Sequence, residues 1–547
     1  MTTHLETAVM LLRRRLRACF AIPHIVAACF VIVCATTCSA DDTIERNGLS
    51  ANELSEYVQK LTSQGQILID LRVRIVERKT VFDVTAQPNQ EKLAWLIQVN
   101  VSDQEFRASS KRYTGDGFQN TVHRIIPNGR HKLHSTIWVQ KSVKAEFLKL
   151  PEGAIPVTGE LGNQLLPINA LVLTTMQDNN IPGATVAVAR DGVMVYERGF
   201  GYSDLEQKTQ MAPDRTMRIA SVSKPITAAA VLLLMEDGKL QLDDHVVDCL
   251  LRSRKFELPE NIDVAWSQIT IRHLLQHSAG WNRDELNDPM FALAEITRAM
   301  KLRKLAKIPD IVRYQLTKPI DFEPGSEYQY SNFGFCLLGR VIEAASEQSY
   351  ESFVNDRILI PARMTQTRLA RTKLADRADD EVHYYTQNLK TYPAIWDVAP
   401  GTKGKFELVP APYGQWSLEV MDAHAGWIST ASDLVRFAMA IDAPVNPLLK
   451  PETFRLMKER PSFASADNSN WYGLGWDVRA NHSPDHTNVS HVGMFPGTST
   501  VLVKRWDGVT WAILFNTDES KHGKSCATLI DVPMHAAVNR SVLHTEP

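Results

Sequence analysis

Ser221 and Lys224 stand three residues apart in the run Arg218-Ile219-Ala220-Ser221-Val222-Ser223-Lys224-Pro225. Residues 226–236 are apolar and rich in Ala and Leu, which predicts a buried helix closed at Asp237-Gly238. Ser221 then opens that helix, and Lys224 lies on the same side of it. Pro225 is compatible with a first turn, whose N–H groups have no partner within the helix. A serine hydroxyl is a weak nucleophile at neutral pH and needs a base within hydrogen-bond reach. A desolvated lysine can be that base, or can hold a proton-transfer network. The positive end of the helix favours negative charge developing beside it. Taken alone the pair reads as an N-cap serine and a surface lysine, because the spacing is common by chance.

Two further groups of residues change that balance. Pro324-Gly325 precedes Tyr328-Gln329-Tyr330-Ser331-Asn332, and His491-Val492-Gly493-Met494-Phe495-Pro496-Gly497 follows much later. Three companions accompany them: Thr270-Ile271-Arg272-His273-Leu274-Leu275-Gln276-His277-Ser278-Ala279-Gly280, Gly426-Trp427-Ile428-Ser429-Thr430-Ala431-Ser432-Asp433-Leu434, and Tyr472-Gly473-Leu474-Gly475-Trp476. In this order the motifs resemble the serine β-lactamase and penicillin-binding protein superfamily. The nearest branch is that of class C β-lactamases, DD-carboxypeptidases and related esterases. The resemblance runs from about residue 175 to 540.

The resemblance implies roles. Ser221 attacks a carbonyl and forms an acyl-enzyme, and Lys224 takes up and shuttles the proton. Tyr330 is the general base or the proton relay to the leaving group, its phenol, with an ordinary pKa of about 10, lowered by the Lys224 cation. Asn332 positions the substrate carbonyl. His491, Val492 and Gly493 edge the site on a strand, the last preceded by residues 472–476 as another strand. The backbone N–H groups of Ser221 and Met494 form the oxyanion hole.

The third motif departs from the family. Class C β-lactamases carry Lys-Thr-Gly there; His491 would be only partly charged at neutral pH, and Val492 lacks the hydroxyl. That weakens recognition of an anionic β-lactam, and Met494 narrows the cleft. A Gly-x-Ser-x-Gly elbow is lacking. His273, His277 and His424 lack metal-ligand spacing, so neither metal nor other cofactor is expected. Trp281, Trp396, Trp416 and Trp427 are packing residues by default, with a cleft lining as the alternative, and Cys336 reads as a packing thiol. The expected function is an exported serine hydrolase acting through an acyl-enzyme on a small ester or D-amino-acid amide or peptide. The alternatives are a true β-lactamase and a catalytically silent relative serving as an envelope binding or scaffold protein.

The elements that must position these residues form a mixed α/β (α+β) fold. An amphipathic stretch ending at Asn180 predicts a helix, residues 184–189 a buried strand, Asp191-Gly192 a hairpin turn and residues 193–197 the returning strand. Strands at both ends of the domain, with helical segments between, predict an antiparallel sheet flanked by helices plus an all-helical subdomain. The strands within 184–198 should share their sheet with 472–476, 499–504 and 510–516, with the helical insertion at about 240–430.

Ahead of this domain, residues 49–75 and 101–127 align at an offset of 52 with five identities: Ser50, Glu53, Thr62, Gly65 and Arg72 against Ser102, Glu105, Thr114, Gly117 and Arg124. Both copies open with a Ser-x-x-Glu capping box, Gly65 and Gly117 stop the helices, and a Trp-bearing strand (Trp95, Trp138) closes each. This predicts two helix–strand–strand repeats, similar to small tandem-repeat domains ahead of some exported hydrolases. Residues 45–145 are either a structural appendage or a module for an envelope or polymer partner. The boundaries are 1–40 signal peptide, 41–150 repeat domain, 151–167 a Pro- and Gly-rich linker, and 168–547 hydrolase domain.

The signal peptide rests on Arg13, Arg14, Arg15 and Arg17, an apolar run of 11 residues at 25–35, and Cys38-Ser39-Ala40 before Asp41-Asp42. Cleavage after Ala40 places the product in the periplasm or outside the cell; an uncleaved segment would anchor it to the membrane. Removing residues 1–40 takes away four arginines and one glutamate, moving the formal charge from -2 to -5. The near balance of 60 basic and 62 acidic residues argues against nucleic acid as a partner. Cys249, Cys336 and Cys526 allow at most one disulfide in the body of the chain, and their pairing is open.

Overall fold

The computed structural model describes residues 43–76, 79–89, 95–115, 118–128, 131–140, 148–159, 165–252, 259, 262–283, 288–397, 407–480 and 486–541. The expected signal segment, its cleavage site and Gly117 lie outside the described residues. Among the described residues no helix is long and apolar enough to cross a membrane. The chain forms two compact units, Met1–Ala145 and Glu146–Pro547.

In the first unit each copy is strand–helix–strand–strand. The first comprises β1 (Ile44–Leu49), the helix Ala51–Ser63, β2 (Gln66–Val76) and β3 (Lys79–Pro88). The second comprises β4 (Trp95–Ser102), the helix Asp103–Gly115, β5 (Phe118–Asn128) and β6 (His131–Gln140). The two sheets share one order, β1-β3-β2 and β4-β6-β5. Both capping boxes form with the same geometry. Ser50 N donates to Glu53 Oε2 at 2.8 Å and Glu53 N to Ser50 Oγ at 3.3 Å, and Ser102 and Glu105 repeat those distances. The expected repeat is corrected in one respect: Trp95 opens the second copy instead of closing the first, pairing with Val139 of β6. β1 escaped detection because only Leu49 of its six residues is buried, so it has no apolar alternation. Leu54, Tyr57, Val58 and Leu61 share one core with Val122, Ile137 and Val139 of the second copy.

The second unit is built on a large antiparallel sheet. Its strands are β7 (Val157–Thr158), β8 (Gly183–Arg190), β9 (Val193–Asp204) and β10 (Thr209–Gln210) near the start. β11 (Met217–Arg218), β12 (Arg368–Leu369) and β15 (Trp427–Ser429) form a separate small sheet, and β13 (Thr391–Pro393) pairs with β14 (Leu408–Pro410). β16 (Asn470–Tyr472), β17 (Asp477–Ala480), β18 (Thr487–Phe495), β19 (Thr498–Lys504) and β20 (Val509–Phe515) complete the large sheet. Its order is β10-β9-β8-β20-β19-β18-β17-β16, with β7 on β9. First and last strands are thus neighbours, β8 lying on β20. β7 belongs to the segment expected to be linker. Residues 473–476 are the turn between β16 and β17 instead of a strand, closed by Gly473 N donating to Trp476 O at 2.8 Å.

Alternate residues of the central strands point into two separate cores. Val186, Val188, Val501, Val503, Trp511 and Ile513 meet the helices Leu166–Asn179 and Cys526–Arg540. Ala187, Ala189, Leu502, Ala512 and Leu514 face the opposite core with the helices Ser223–Glu236, Asn332–Ser346 and Ala431–Ala440. The helical part lies between β11 and β12. The Asp191-Gly192 hairpin has φ of 49° and 81°, the left-handed pair a tight two-residue turn requires. Cys249, Cys336 and Cys526 are buried.

Candidate active site

Ser221 lies in a single 3-10 turn, Ala220–Val222, that runs directly into the helix Ser223–Glu236. The turn is held from both sides. Ile219 N donates to Trp427 O at 3.0 Å, and Thr498 Oγ1 donates to Arg218 O at 2.7 Å. Ala220 has φ of 44°, a conformation that strains a residue with a Cβ. Gly493 of β18 is what lets that strand press on the turn: a Cβ there would stand 2.2 Å from Ile219 O and 3.1 Å from Ser221 N.

The helix from Ser223 is buried on every side through Leu234, so it carries Lys224 into the interior. Lys224 is fully buried; its Nζ lies 3.1 Å from Ser221 Oγ, 2.7 Å from Asn332 Oδ1 and 3.1 Å from His424 O. Burial holds its ammonium well below the ordinary value, opposed by the Asp288 carboxylate and reinforced by Arg283. Tyr330 and Ser331 precede the helix Asn332–Ser346, whose N-cap is Ser331, with Oγ accepting from Gly334 N at 3.1 Å. That entry aims Tyr330 Oη at Ser221 Oγ, to which it donates at 2.8 Å. The structure therefore brings Ser221, Lys224, Tyr330 and Asn332 together from segments far apart in the chain.

Two expectations are corrected. Lys224 does not hold the Tyr330 phenol down. Its three contacts go elsewhere, and its Nζ meets the ring face 4.7 Å from the centroid. Burial raises the phenol far above its ordinary value, so Tyr330 rests protonated. His491 is not partly charged. Its ring is buried, its Nε2 lies 3.0 Å from Tyr472 Oη and its Nδ1 2.8 Å from Val492 O. Burial, with the nearby Lys224 charge, pushes its pKa down to about 3. Asn332 offers its carbonyl oxygen to Lys224. Met494 is exposed on β18, next to Gly493. Trp281 and Trp427 are buried packing residues, whereas Trp416 is half-buried between Phe291 and Phe495, with ring centroids 5.3 and 5.7 Å away.

Sequence reasoning missed Asp288 and the use of His277. Asp288 is buried; Oδ2 accepts from Asn332 N at 2.7 Å and Oδ1 from Met290 N at 3.1 Å. Burial raises its carboxyl pKa against those bonds and against Lys224. Its only signal was a Pro after an Asp, a cap pattern that carries no chemistry. His277, in the left-handed region at φ 56°, packs its ring 4.2 Å from that of Tyr330 and accepts from Ser331 N at 3.1 Å through Nδ1. Arg283 sets its guanidinium carbon 5.3 Å from the Tyr330 ring centroid.

Asp204, Glu206 and His383 are a group with donor atoms within 4.8 Å of one another. They already hold one another and their neighbours: Gln207 N donates to Asp204 Oδ1, Tyr385 Oη to Glu206, and His383 Nε2 lies 3.4 Å from Asp204 Oδ2. A groove of about 1100 Å³ between the β8–β9 hairpin, the helix Ala431–Ala440 and the ends of β18 to β20 contains none of the Ser221 group. Of the cations lining it, Arg436, Lys504 and Arg505 are paired with Asp433, Asp442 and Asp507.

A protein-family model described as Beta-lactamase matches residues 168–532. Penicillin-binding protein 4* of Bacillus subtilis is 30% identical over 341 residues, which cover 61% of this chain and 67% of that protein. Protein flp of Staphylococcus aureus is 27% identical over 341 residues, 61% of this chain but only 59% of flp, so less than two thirds of that protein's length is spanned. Among solved structures, the D-amino acid amidase of Ochrobactrum anthropi SV3 complexed with L-phenylalanine gives a TM-score of 0.53 at 22% identity, covering 69% of this chain and 99% of the amidase. EstCE1, a hydrolase with promiscuous acyltransferase activity, gives 0.52 at 21% identity, covering 69% and 98%. These two likenesses are of fold.

Proposed function

Since the chain belongs to the Beta-lactamase family, with residues 168–532 matching its model, we propose that it is a serine hydrolase that works through an acyl-enzyme on Ser221, taking ester or D-amino-acid amide substrates. The observation that carries this is the position of Ser221 Oγ, 3.1 Å from Lys224 Nζ and 2.8 Å from Tyr330 Oη. A neutral Lys224 donates its two N–H bonds to Asn332 Oδ1 and His424 O and turns its lone pair to the Ser221 proton. In acylation Lys224 takes that proton as Oγ attacks the carbonyl carbon. The oxyanion lies against the N–H groups of Ser221 and Met494, in a cleft edge that Gly493 keeps close. Tyr330, protonated at rest, gives its proton to the leaving nitrogen or oxygen as the bond to the carbonyl carbon breaks. The Lys224 proton then restores the phenol. Water repeats the sequence in reverse to free the acid. The relay role of Tyr330 is favoured over the base role because burial keeps the phenol protonated.

The neutral His491 leaves β18 without the cation that a Lys-Thr-Gly motif supplies, which favours esterase or peptidase action over β-lactam hydrolysis. Export through residues 1–40 and an envelope or polymer partner for residues 45–145 belong to the same proposal. Their support is the basic and apolar leader pattern and the separate core of the first unit. Fluorophosphonate labelling of the purified protein, compared with Ser221→Ala, tests the nucleophile. Labelling that survives in Ser221→Ala would remove it. A panel of p-nitrophenyl esters, D-alanyl peptides and nitrocefin separates the substrate classes, and cell fractionation tests export.

A further inference from the structure

We propose that Asp103, His134 and His123 form an acid-opened latch that holds the helix Asp103–Gly115 to the sheet β4-β6-β5 of the first unit. The two copies in that unit show what the latch replaces. At the offset of 52, Ala51, Leu71 and Phe82 of the first copy become Asp103, His123 and His134 of the second. Strand pairing makes the same match. Leu71 faces Val84 and Val73 faces Phe82 across β2 and β3, while His123 faces Thr136 and Ile125 faces His134 across β5 and β6. Even the register shift recurs, between Leu68 and Asp70 in one copy and between Asn120 and Val122 in the other. Leu71 and Phe82 are fully buried in the apolar core. Imidazoles at two such places cost stability unless their polar atoms are bonded.

They are bonded to one another. His134 is buried, with Nε2 2.7 Å from Asp103 Oδ1 and Nδ1 2.8 Å from His123 Nε2. Phe106, where the first copy has Leu54, stacks on both imidazoles with ring centroids 4.5 Å away. An ionised Asp103 only accepts, so His134 Nε2 donates to it, and the contact between the two histidines holds a single proton. A further proton fits on His123 Nδ1 and leaves the chain of bonds intact. One more does not: both facing nitrogens then carry hydrogens, and the bond becomes a repulsion between two cations. The His134 bond, opposed by desolvation and helped by Arg107 on the helix and Lys132 on β6, keeps the Asp103 carboxyl below its ordinary value. Burial, then the His134 charge and Arg124 of β5, hold His123 below its ordinary 6.5. Arg124 is itself paired with Asp70 of β2 at 2.9 Å. The open form takes these protons freely, so the contribution of the latch is complete above 6.5 and is lost as pH falls through the lowered His123 value. Ala51, Leu71 and Phe82 do not titrate, so the first copy has no counterpart.

Hydrogen exchange of the full chain, read by mass spectrometry and corrected for the intrinsic rate at each pH, tests this with the first copy as internal reference. From about pH 7 to about pH 5, protection in residues 103–115 and 131–140 should fall about ten-fold or more relative to 51–63 and 79–88. His123→Gln keeps an N–H for His134 Nδ1 but takes up no proton, and should remove that relative loss. The triple variant Asp103→Ala, His123→Leu, His134→Phe installs the residues of the first copy and should remove it as well. Equal loss in the two copies of the wild type, or a relative loss that persists in His123→Gln, would overturn the latch.

Discussion

A charged Lys224 would commit all three N–H bonds to Ser221, Asn332 and His424, whereas a neutral one keeps a lone pair for the Ser221 proton. Burial favours the neutral form. The expected kcat/KM therefore falls as pH drops through the Lys224 value, which lies well below the ordinary 10.5. Lys224→Arg should lose activity at every pH in the profile, since a guanidinium does not deprotonate. Tyr330→Phe should slow turnover by about 10²–10⁴ while leaving KM largely unchanged, the usual worth of general acid–base help. Full turnover in that variant would exclude Tyr330 as the relay. Ser221, Lys224, Tyr330 and Asn332 were legible because each sits in a short motif whose local structure, a helix start, is set by neighbours in sequence. Asp288 and the His424 carbonyl were not, because each acts through a backbone group or a contact that only the packed chain creates. His491 was misjudged for the same reason: its motif identifies its place but not the dryness of that place.

The turn bearing Ser221 is held by strands that never touch it in sequence. Gly493→Ala would place a methyl 2.2 Å from Ile219 O, and backbone atoms on both sides leave no flexible end to yield. The strand must then withdraw from Ser221 N. We expect at least a ten-fold loss of kcat/KM, with the fold retained by circular dichroism; unchanged kinetics would show that β18 does not shape the site. Arg218 is the second support. It is buried three residues before Ser221, 3.6 Å from the buried Glu381, and stacks on Tyr384 at 4.4 Å. Arg218→Ala leaves Glu381 without that partner and should cost about 3–5 kcal/mol in denaturant unfolding. At this scale the chain was readable where a period or a turn signal was strong, as in the helix Ser223–Glu236, the Asp191-Gly192 hairpin and the two capping boxes. It was unreadable in β1, whose solvated edge has no apolar rhythm, and at residues 473–476, where two glycines in a Trp- and Tyr-flanked run resemble a strand but make a turn.

Across the whole molecule, the buried histidines make acid the vulnerable direction. His277, His424 and His491 are each held below their ordinary value of 6.5 by burial. Each binds its proton more readily in the unfolded chain, so its contribution to stability is complete above 6.5 and is lost as pH falls toward its folded value. For His491 that window runs from 6.5 down to about 3. Each histidine adds about 1.4 kcal/mol of destabilisation per pH unit inside its window. The thermal midpoint of the second unit should therefore fall steeply from about pH 6 to about pH 4. His491→Gln should flatten the slope, and an unaltered slope would mean that another group controls it. Every residue of the Ser221 group lies in Glu146–Pro547, so that unit expressed alone should label as the full chain does. The sheet of this unit joins the first strands to the last: β8 waits for β20, and the Ser221 turn waits for Gly493 and Thr498. During synthesis Ser221 leaves the ribosome long before the strands that brace it. A nascent chain thus carries Ser221 in an unfinished setting until β18 to β20 have emerged, and a premature stop anywhere before β18 should yield no hydrolase.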